Sequence, residues 1–581
     1  MMLTTNLLLA LASGTAVAAV QQHCPPLGPV LPAPVNPSAN PAVSAALSAI
    51  NTKFQSLVSK FNISAASIAA TSIHEDKPLF ELHYTPPSLA SRGVQKVDSN
   101  SIYRIGSLSK VFTALAVLKL CKVDLDDTVT KYLPQLKDLK KEQEVNNDIT
   151  TVHWDQITLG ALASHMAGIG ADLATDLADF PAPWTALGLP NLTTTQDAEL
   201  PHCAGLFGLP PCNETDFYAT FGRRPPVYAP FTNPVYSNIG FAILGLVVEA
   251  VSNQTFTDFV QTQVFDVAGM NGSSLSKPDD ARGVIPVDDG WWNASLGVEG
   301  PAGGFYSTTS DLLAFGSAIL TNKFLAPVKT RKWLKPVTFT SSHGFAMGAP
   351  WEILRSDSVT TDGRVVNFYT KSGDVGEYHG QLCLVPDYDF VISVLVAGSE
   401  TSSDMTEIML SQIIKELAPA FEQAGKAQAQ TDFGGSYSDA ASNSTLVLSL
   451  DDGPGFAVSK WIVRGVDVVA NYPKYNAGGG GGGSATVTTA RLYPTNLEAG
   501  NQTSWRAVFE SGTLQDRDAL DAQLIYPQGS CITWSSMDRS VYSYNAIDNL
   551  VFSTDDAAEG NRGQASAVEL RAFQVTLQRD V

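Results

Sequence analysis

Apolar residues recur at helical spacing over residues 42–61, with Val43, Leu47, Ile50, Phe54, Leu57 and Val58 along the pattern. This predicts an amphipathic helix. Two strand-like runs follow, Ala66–Ile73 and Leu79–Tyr84, separated by the polar turn Glu75–Lys77, and they read as a hairpin. The strongest helical pattern is Leu108–Leu120, where Val111, Phe112, Leu115 and Leu118 share a face. From 101 to 425, helical stretches lie between strand-like runs. Three late runs, Val365–Tyr369, Gly380–Val385 and Phe390–Val396, predict consecutive strands of a central antiparallel sheet. The stretch from 170 to 235 is long and rich in Pro and Gly, as loops with a functional or lid role are.

The pattern changes near 418. Residues 418–433 (APAFEQAGKAQAQTDF) are small and polar and read as a linker. Beyond them helical periodicity disappears, and short alternating runs take over at Thr445–Leu450, Ser459–Val463, Ala485–Tyr493, Trp505–Glu510 and Val568–Leu577. That is the pattern of a separate all-β domain. The six glycines at 478–483 read as a loop within it; no Lys-Ser/Thr and no helix follows them, so they are not a phosphate loop. The predicted organisation is a signal peptide at 1–19, a proline-rich extended leader at 20–41, an α/β (α+β) domain at 42–425 and an all-β domain at 433–581.

Residues 7–19 are apolar and end in small residues at Ala16 and Ala18, the form of a secretory signal peptide, although the segment before them carries no Lys or Arg. The stretch is shorter than the ~20 residues of a membrane span. Eight N-x-[ST] sequons, at Asn62, Asn191, Asn213, Asn253, Asn271, Asn293, Asn443 and Asn501, suit a secreted glycoprotein. Of the six cysteines, Cys203 and Cys212 flank a short Pro- and Gly-containing loop and are the favoured disulfide pair; Cys24, Cys121, Cys383 and Cys531 can pair in several ways. The net charge of −20 argues against a nucleic-acid partner, whose affinity comes from Lys and Arg on phosphates. No zinc-type ligand spacing and no dinucleotide or nucleotide-binding loop occurs, so no metal and no cofactor is expected.

Three short motifs carry chemistry. In YRIGSLSKVFTALAVLKL, Ser107 and Lys110 stand at i and i+3 where an amphipathic helix opens. A serine hydroxyl is a weak nucleophile until a base activates it, and a lysine of lowered pKa can be that base. A second Ser-x-x-Lys, Ser274 to Lys277, is followed by PDDARG, which cannot continue a helix, and is set aside. In PVYSNIGFAILGLVVEAV, a loop carrying Tyr236 leads directly into an apolar helix; near two lysines its phenol would be acidic enough to act as a general base, and Asn238 could bond Lys110 and the acyl side chain of a substrate. In FYTKSGDVGEYHGQLCLV, Lys371, Ser372 and Gly373 lie between two strand-like runs. Lys371 supplies a positive charge for a substrate carboxylate or for Tyr236, and Gly373 permits close backbone approach. The N–H groups of Asp374 and Ser107 are the candidate oxyanion donors.

In this order and context the three motifs resemble the serine β-lactamase and penicillin-binding (D-Ala-D-Ala carboxypeptidase) superfamily, nearest the Tyr-x-Asn branch of class C β-lactamases and related esterases. Residues 123–136, ITLGALASHMAGIG (157–170) and GPAGGFYSTTSDLLAF (300–315) extend the likeness, which covers about 42–425. The C-terminal region resembles the extra β domain of some secreted fungal members. The resemblance implies a central antiparallel sheet flanked by helices, Ser107 as acyl-enzyme nucleophile, Lys110 as its activator, Tyr236 as the proton-shuttling base and Lys371 as the third-motif lysine. Ser372 stands where Thr is usual, and Asp374 where a small residue is usual; a carboxylate there is unfriendly to an anionic substrate.

The expected function is therefore a secreted serine hydrolase acting on a small-molecule ester or amide. The alternatives are an acyltransferase or cyclising enzyme using the same acyl-enzyme, and a non-catalytic glycoprotein that keeps the fold. Neither a membrane nor a nucleic-acid partner is expected. His165, Cys383, Trp351 and the Trp291–Trp292 pair read first as packing residues.

Overall fold

The computed structural model describes residues 23–139, 147–173, 176–180, 182–205, 208–476, 487–526, 528–555 and 563–580. The signal-like segment and the glycine run lie outside them. Helix α1 (Pro41–Val58) starts at Asn40, whose side chain accepts the Ala42 N–H, with Pro41 at the first helical position, where its missing N–H costs nothing. The hairpin strands β1 (Ala65–Ser72) and β2 (Phe80–Tyr84) form as expected. So do the three late strands, β6 (Val366–Val375), β7 (Tyr378–Val385) and β8 (Phe390–Ala397). With β3 (Thr338–Phe339), β4 (Phe345–Met347) and β5 (Glu352–Ser356), they make an antiparallel sheet of order β2-β1-β8-β7-β6-β5-β4-β3. Strand β8 is buried along its whole length, because helices cover both faces of the sheet. On one face lie α1 and the C-terminal helix described below; on the other lie helix α4 (Thr309–Leu320) and the larger core built around Val111, Phe112, Phe241, Phe305 and Phe315.

The segment expected to be a linker is instead helix. Helix α5 runs unbroken from Ser403 to Asp432 and includes Pro419. Its small polar residues are mostly Ala, Gln, Glu and Lys, which are strong helix formers, so composition alone could not separate helix from coil there. The helix contributes Ile413, Leu417 and Phe421 to the first domain and Ala429 to the core of the second. In that second domain, strands pair in closed order: Ser444–Ser449 bonds both Gly435–Asp439 and Phe456–Val463, turning the sheet into an all-β barrel. Closure removes the exposed strand edges that an open sheet would leave.

The proline-rich leader is extended, but it is not merely a spacer. Leu31 joins the barrel core, Val30 packs on Tyr493 and Val508, and Cys24 is bridged to Cys531. The Cys203–Cys212 bridge forms as expected, and among the described residues Cys121 and Cys383 are free. All eight sequon asparagines are exposed. Trp351 and Trp292 are fully buried, and Cys383 sits inside the sheet with its thiol pushed up by burial. Among the described residues no single helix is long and apolar enough to cross a membrane.

Candidate active site

Ser107 lies in a tight turn, Gly106–Leu108, that leads into α2 (Ser109–Lys119). The turn is locked against β6 at two glycines. A Cβ on Gly373 would stand 2.1 Å from the Ile105 carbonyl oxygen, and one on Gly106 would stand 2.6 Å from the Asp374 backbone. Gly106 also has φ +49°, a conformation that favours glycine. Sheet edge and nucleophile turn therefore touch backbone to backbone, and this places the third motif beside the first. One turn along, the fully buried Lys110 aims its Nζ back at Ser107 Oγ, 2.9 Å away. Lys110 also donates to Asn238 Oδ1 at 2.6 Å and to the Ala302 carbonyl at 2.8 Å.

Tyr236 is delivered by a segment that follows residues 165–168: Val227 N–H donates to Gly168 O, Phe231 N–H to Met166 O and Val235 N–H to His165 O. The Tyr236 hydroxyl lies 2.6 Å from Ser107 Oγ. Its ring stacks on His165 with centroids 4.4 Å apart, and Lys110 and Lys371 hold their Nζ atoms 4.7 and 5.5 Å from its centroid. Ser237 caps helix α3 (Asn238–Ser252) by accepting the Gly240 N–H. That cap fixes Asn238 as the first helical residue. Its amide is used at both ends, since Oδ1 accepts from Lys110 and Nδ2 donates to Asp172 Oδ1 at 2.6 Å. The expected role of Asn238 toward Lys110 thus has a geometric basis, while Asp172 already occupies the end that would face a substrate.

Lys371 is 1 % exposed and forms an ion pair with Glu352 Oε1 at 2.5 Å. Glu352 Oε2 takes the N–H of Ser372 at 2.8 Å. Glu352 reaches Lys371 because β5 and β6 pair in a register that sets Glu352 opposite Thr370. Asp374, two residues on, bonds His379 Nδ1 at 2.6 Å.

The electrostatics separate the two lysines. Burial, together with the Lys371 charge, pulls Lys110 below the usual ammonium range and outweighs the opposing pull of Tyr236. Lys371 goes the other way: burial favours its neutral form, but Glu352 and Tyr236 together raise it, so it stays charged. For Tyr236 burial is the largest single influence and pushes upward, but Lys371 and Lys110, with the hydrogen bonds to Lys110 and Ser107, together prevail and make the phenol more acidic than usual. His165 is held well below its ordinary value by burial and by both lysines, so its ring is neutral, with Nδ1 accepting the Ser237 N–H. Glu299 is raised to about 7 by burial and by Asp172, against the Leu173 N–H and Lys110, which favour its ionised form.

The structure thus brings Ser107, Lys110, Tyr236, Asn238, Lys371, Ser372, Gly373 and Asp374 together. The rejected Ser274–Lys277 pair stands apart, with Lys277 bonded to Asp280 and Ser274 Oγ to the Ser276 carbonyl. Sequence reasoning missed Asp172, Glu299 and Glu352, and gave His165 only a packing role. Asp172 and Glu299 lie in or beside the extended segments already singled out, but single carboxylates there carry no spacing signal; Glu352 is visible only once strand register is known. A cavity of about 640 Å³ in the C-terminal barrel, lined by Cys24, Tyr472, Phe509 and Arg517, includes none of the site residues.

Several known proteins are similar to this chain. The Beta-lactamase family profile matches residues 54–411, and a profile described as Beta-lactamase-like-like, C-terminal domain, matches 425–581. A Beta-lactamase-like protein of Arthroderma benhamiae is 29% identical over 591 residues, covering 96% of each chain. A Probable hydrolase M10 of a Phoma species is 24% identical over 545 residues, covering 90% of this chain and 85% of its own. Among solved structures, a class C beta-lactamase is 21% identical with a TM-score of 0.46, over 65% of this chain and 98% of its own.

Proposed function

The chain belongs to the beta-lactamase family, and from that premise we propose that it is a secreted serine hydrolase cleaving an ester or amide through an acyl-enzyme on Ser107. The observation that carries this reading is the placement of Ser107 Oγ 2.9 Å from Lys110 Nζ and 2.6 Å from the Tyr236 hydroxyl. Those are hydrogen-bonding distances for proton transfer from the nucleophile. Tyr236, acidified by two ammonium groups, takes the Ser107 proton as the hydroxyl attacks the acyl carbon, then returns it to the leaving group. Lys110, bonded to Ser107, Asn238 and Ala302, holds this relay in line. The N–H groups of Ser107 and Asp374 are assigned to the oxyanion, at the junction where Gly106 and Gly373 let the turn meet the strand. In the second half-reaction Tyr236 takes a proton from water as the water oxygen attacks the acyl carbon, and returns it to Ser107 Oγ as the acyl–oxygen bond breaks and the acid leaves. Secretion is supported by the signal-like segment, the two disulfides and the exposure of all eight sequon asparagines.

The test compares wild type with Ser107→Ala. Wild type should be labelled by a fluorophosphonate and should hydrolyse a chromogenic ester; the variant should do neither. Labelling that persists in Ser107→Ala overturns the assignment of the nucleophile. Turnover that needs an added nucleophilic acceptor would replace hydrolysis by acyl transfer.

A further inference from the structure

The third-motif lysine is not a free cation. Its Nζ is already bonded to Glu352 and to the Ser372 carbonyl, and Glu352 spends its second oxygen on the Ser372 N–H. The Glu352 side chain is 17% exposed. A substrate carboxylate that took Lys371 from it would leave a half-buried carboxylate without its counter-charge, which is strongly unfavourable. The other lysine offers no substitute, since Lys110 Nζ has three bonds, to Ser107, Asn238 and Ala302. A second carboxylate, Asp374, stands at the turn itself, where its backbone abuts Gly106. The segment that delivers Tyr236 presents Val227, Tyr228 and Phe231 to solvent, and the Arg224 guanidinium just before them is engaged with the Asp172 carbonyl.

We propose that the Glu352–Lys371 pair, with Asp374 beside it, makes this site selective for acyl donors that carry no carboxylate. The ion pair keeps Lys371 charged for Tyr236 while withdrawing it from substrate recognition. Glu352 is thus a specificity-determining residue. The proposal rests on Ser107 acting as the nucleophile.

Two matched substrate pairs test it: 3-acetoxybenzoate against its methyl ester, with the carboxylate on the leaving group, and phenyl hydrogen glutarate against phenyl methyl glutarate, with the carboxylate on the acyl group. Wild type should prefer the neutral member of each pair by at least tenfold in kcat/KM. Glu352→Gln should shift the anion-to-neutral ratio toward the anion by at least tenfold in one pair or both. Asp374→Asn, at a more exposed side chain, should move it the same way by a smaller factor. A ratio is read because general damage to the fold lowers both members alike. If wild type hydrolyses an anionic member as fast as its methyl ester, or if neither variant moves the ratio, the proposal is overturned while Ser107-dependent fluorophosphonate labelling still stands. Loss of that labelling in wild type itself would overturn the serine reading underneath.

Discussion

Lys110 makes three hydrogen bonds inside a core, and each has a consequence. Removing it leaves Asn238 and the Ala302 carbonyl without their donor and Ser107 without its activator. Lys110→Ala should lower kcat/KM for a neutral ester by about 10³-fold, within the usual range for a positioned acid–base group. Steady-state kinetics on folded variant check this. Glu299 gives a pH signature. Its carboxyl ionises near 7 in the folded protein against an ordinary 4.5, so over that window the folded state keeps a proton that the unfolded chain has released. Its contribution to stability therefore falls as pH rises from about 4.5 through about 7. Glu299→Gln should flatten that part of the stability profile, measured by denaturant unfolding at successive pH values. A profile with the same slope in both proteins would remove Glu299 from the account.

At the scale of elements, the site depends on one junction, that of the nucleophile turn and β6. Gly373→Ala would drive a methyl group into the Ile105 carbonyl and the Leu108 amide. Overpacking of this kind costs about 1–3 kcal/mol, and here the strain falls on the turn that carries Ser107. The expected result is a lowered Tm together with at least a tenfold loss of fluorophosphonate labelling rate, whereas a core substitution of equal cost remote from the turn should leave labelling intact. This junction also explains what was legible in advance. Ser107 to Lys110, Tyr236 to Asn238 and Lys371 to Gly373 are local patterns, each at the start of a helix or on a strand, and local patterns survive in sequence. Glu352 reaches Lys371 through strand pairing, and Asp172 reaches Asn238 from 66 residues away. Neither contact has a periodicity to read. The helical stretch over residues 418–432 is illegible for a different reason: the composition shift there is real, but the Ala, Gln, Glu and Lys that suit a linker are also strong helix formers.

For the whole molecule the two ends of the chain are joined. Cys24 is bridged to Cys531 across 507 residues, and the leader between Cys24 and α1 lays Val30 and Leu31 into the barrel. The first-domain sheet holds Ser107 and Lys371 without help from this tether, because the contacts that fix the turn come from β6, α3 and the 300–305 segment. Removing the bridge should therefore separate stability from chemistry. Cys24→Ser with Cys531→Ser frees a long loop in the unfolded chain, for which a loss of about 2–5 kcal/mol is usual. That loss should appear in the barrel transition and as protease cleavage within residues 24–40. Ser107 labelling at 25 °C should stay within twofold of wild type. A parallel loss of labelling would mean that the barrel and its leader support the catalytic turn directly, through the shared helix α5, and that the two cores unfold as one unit.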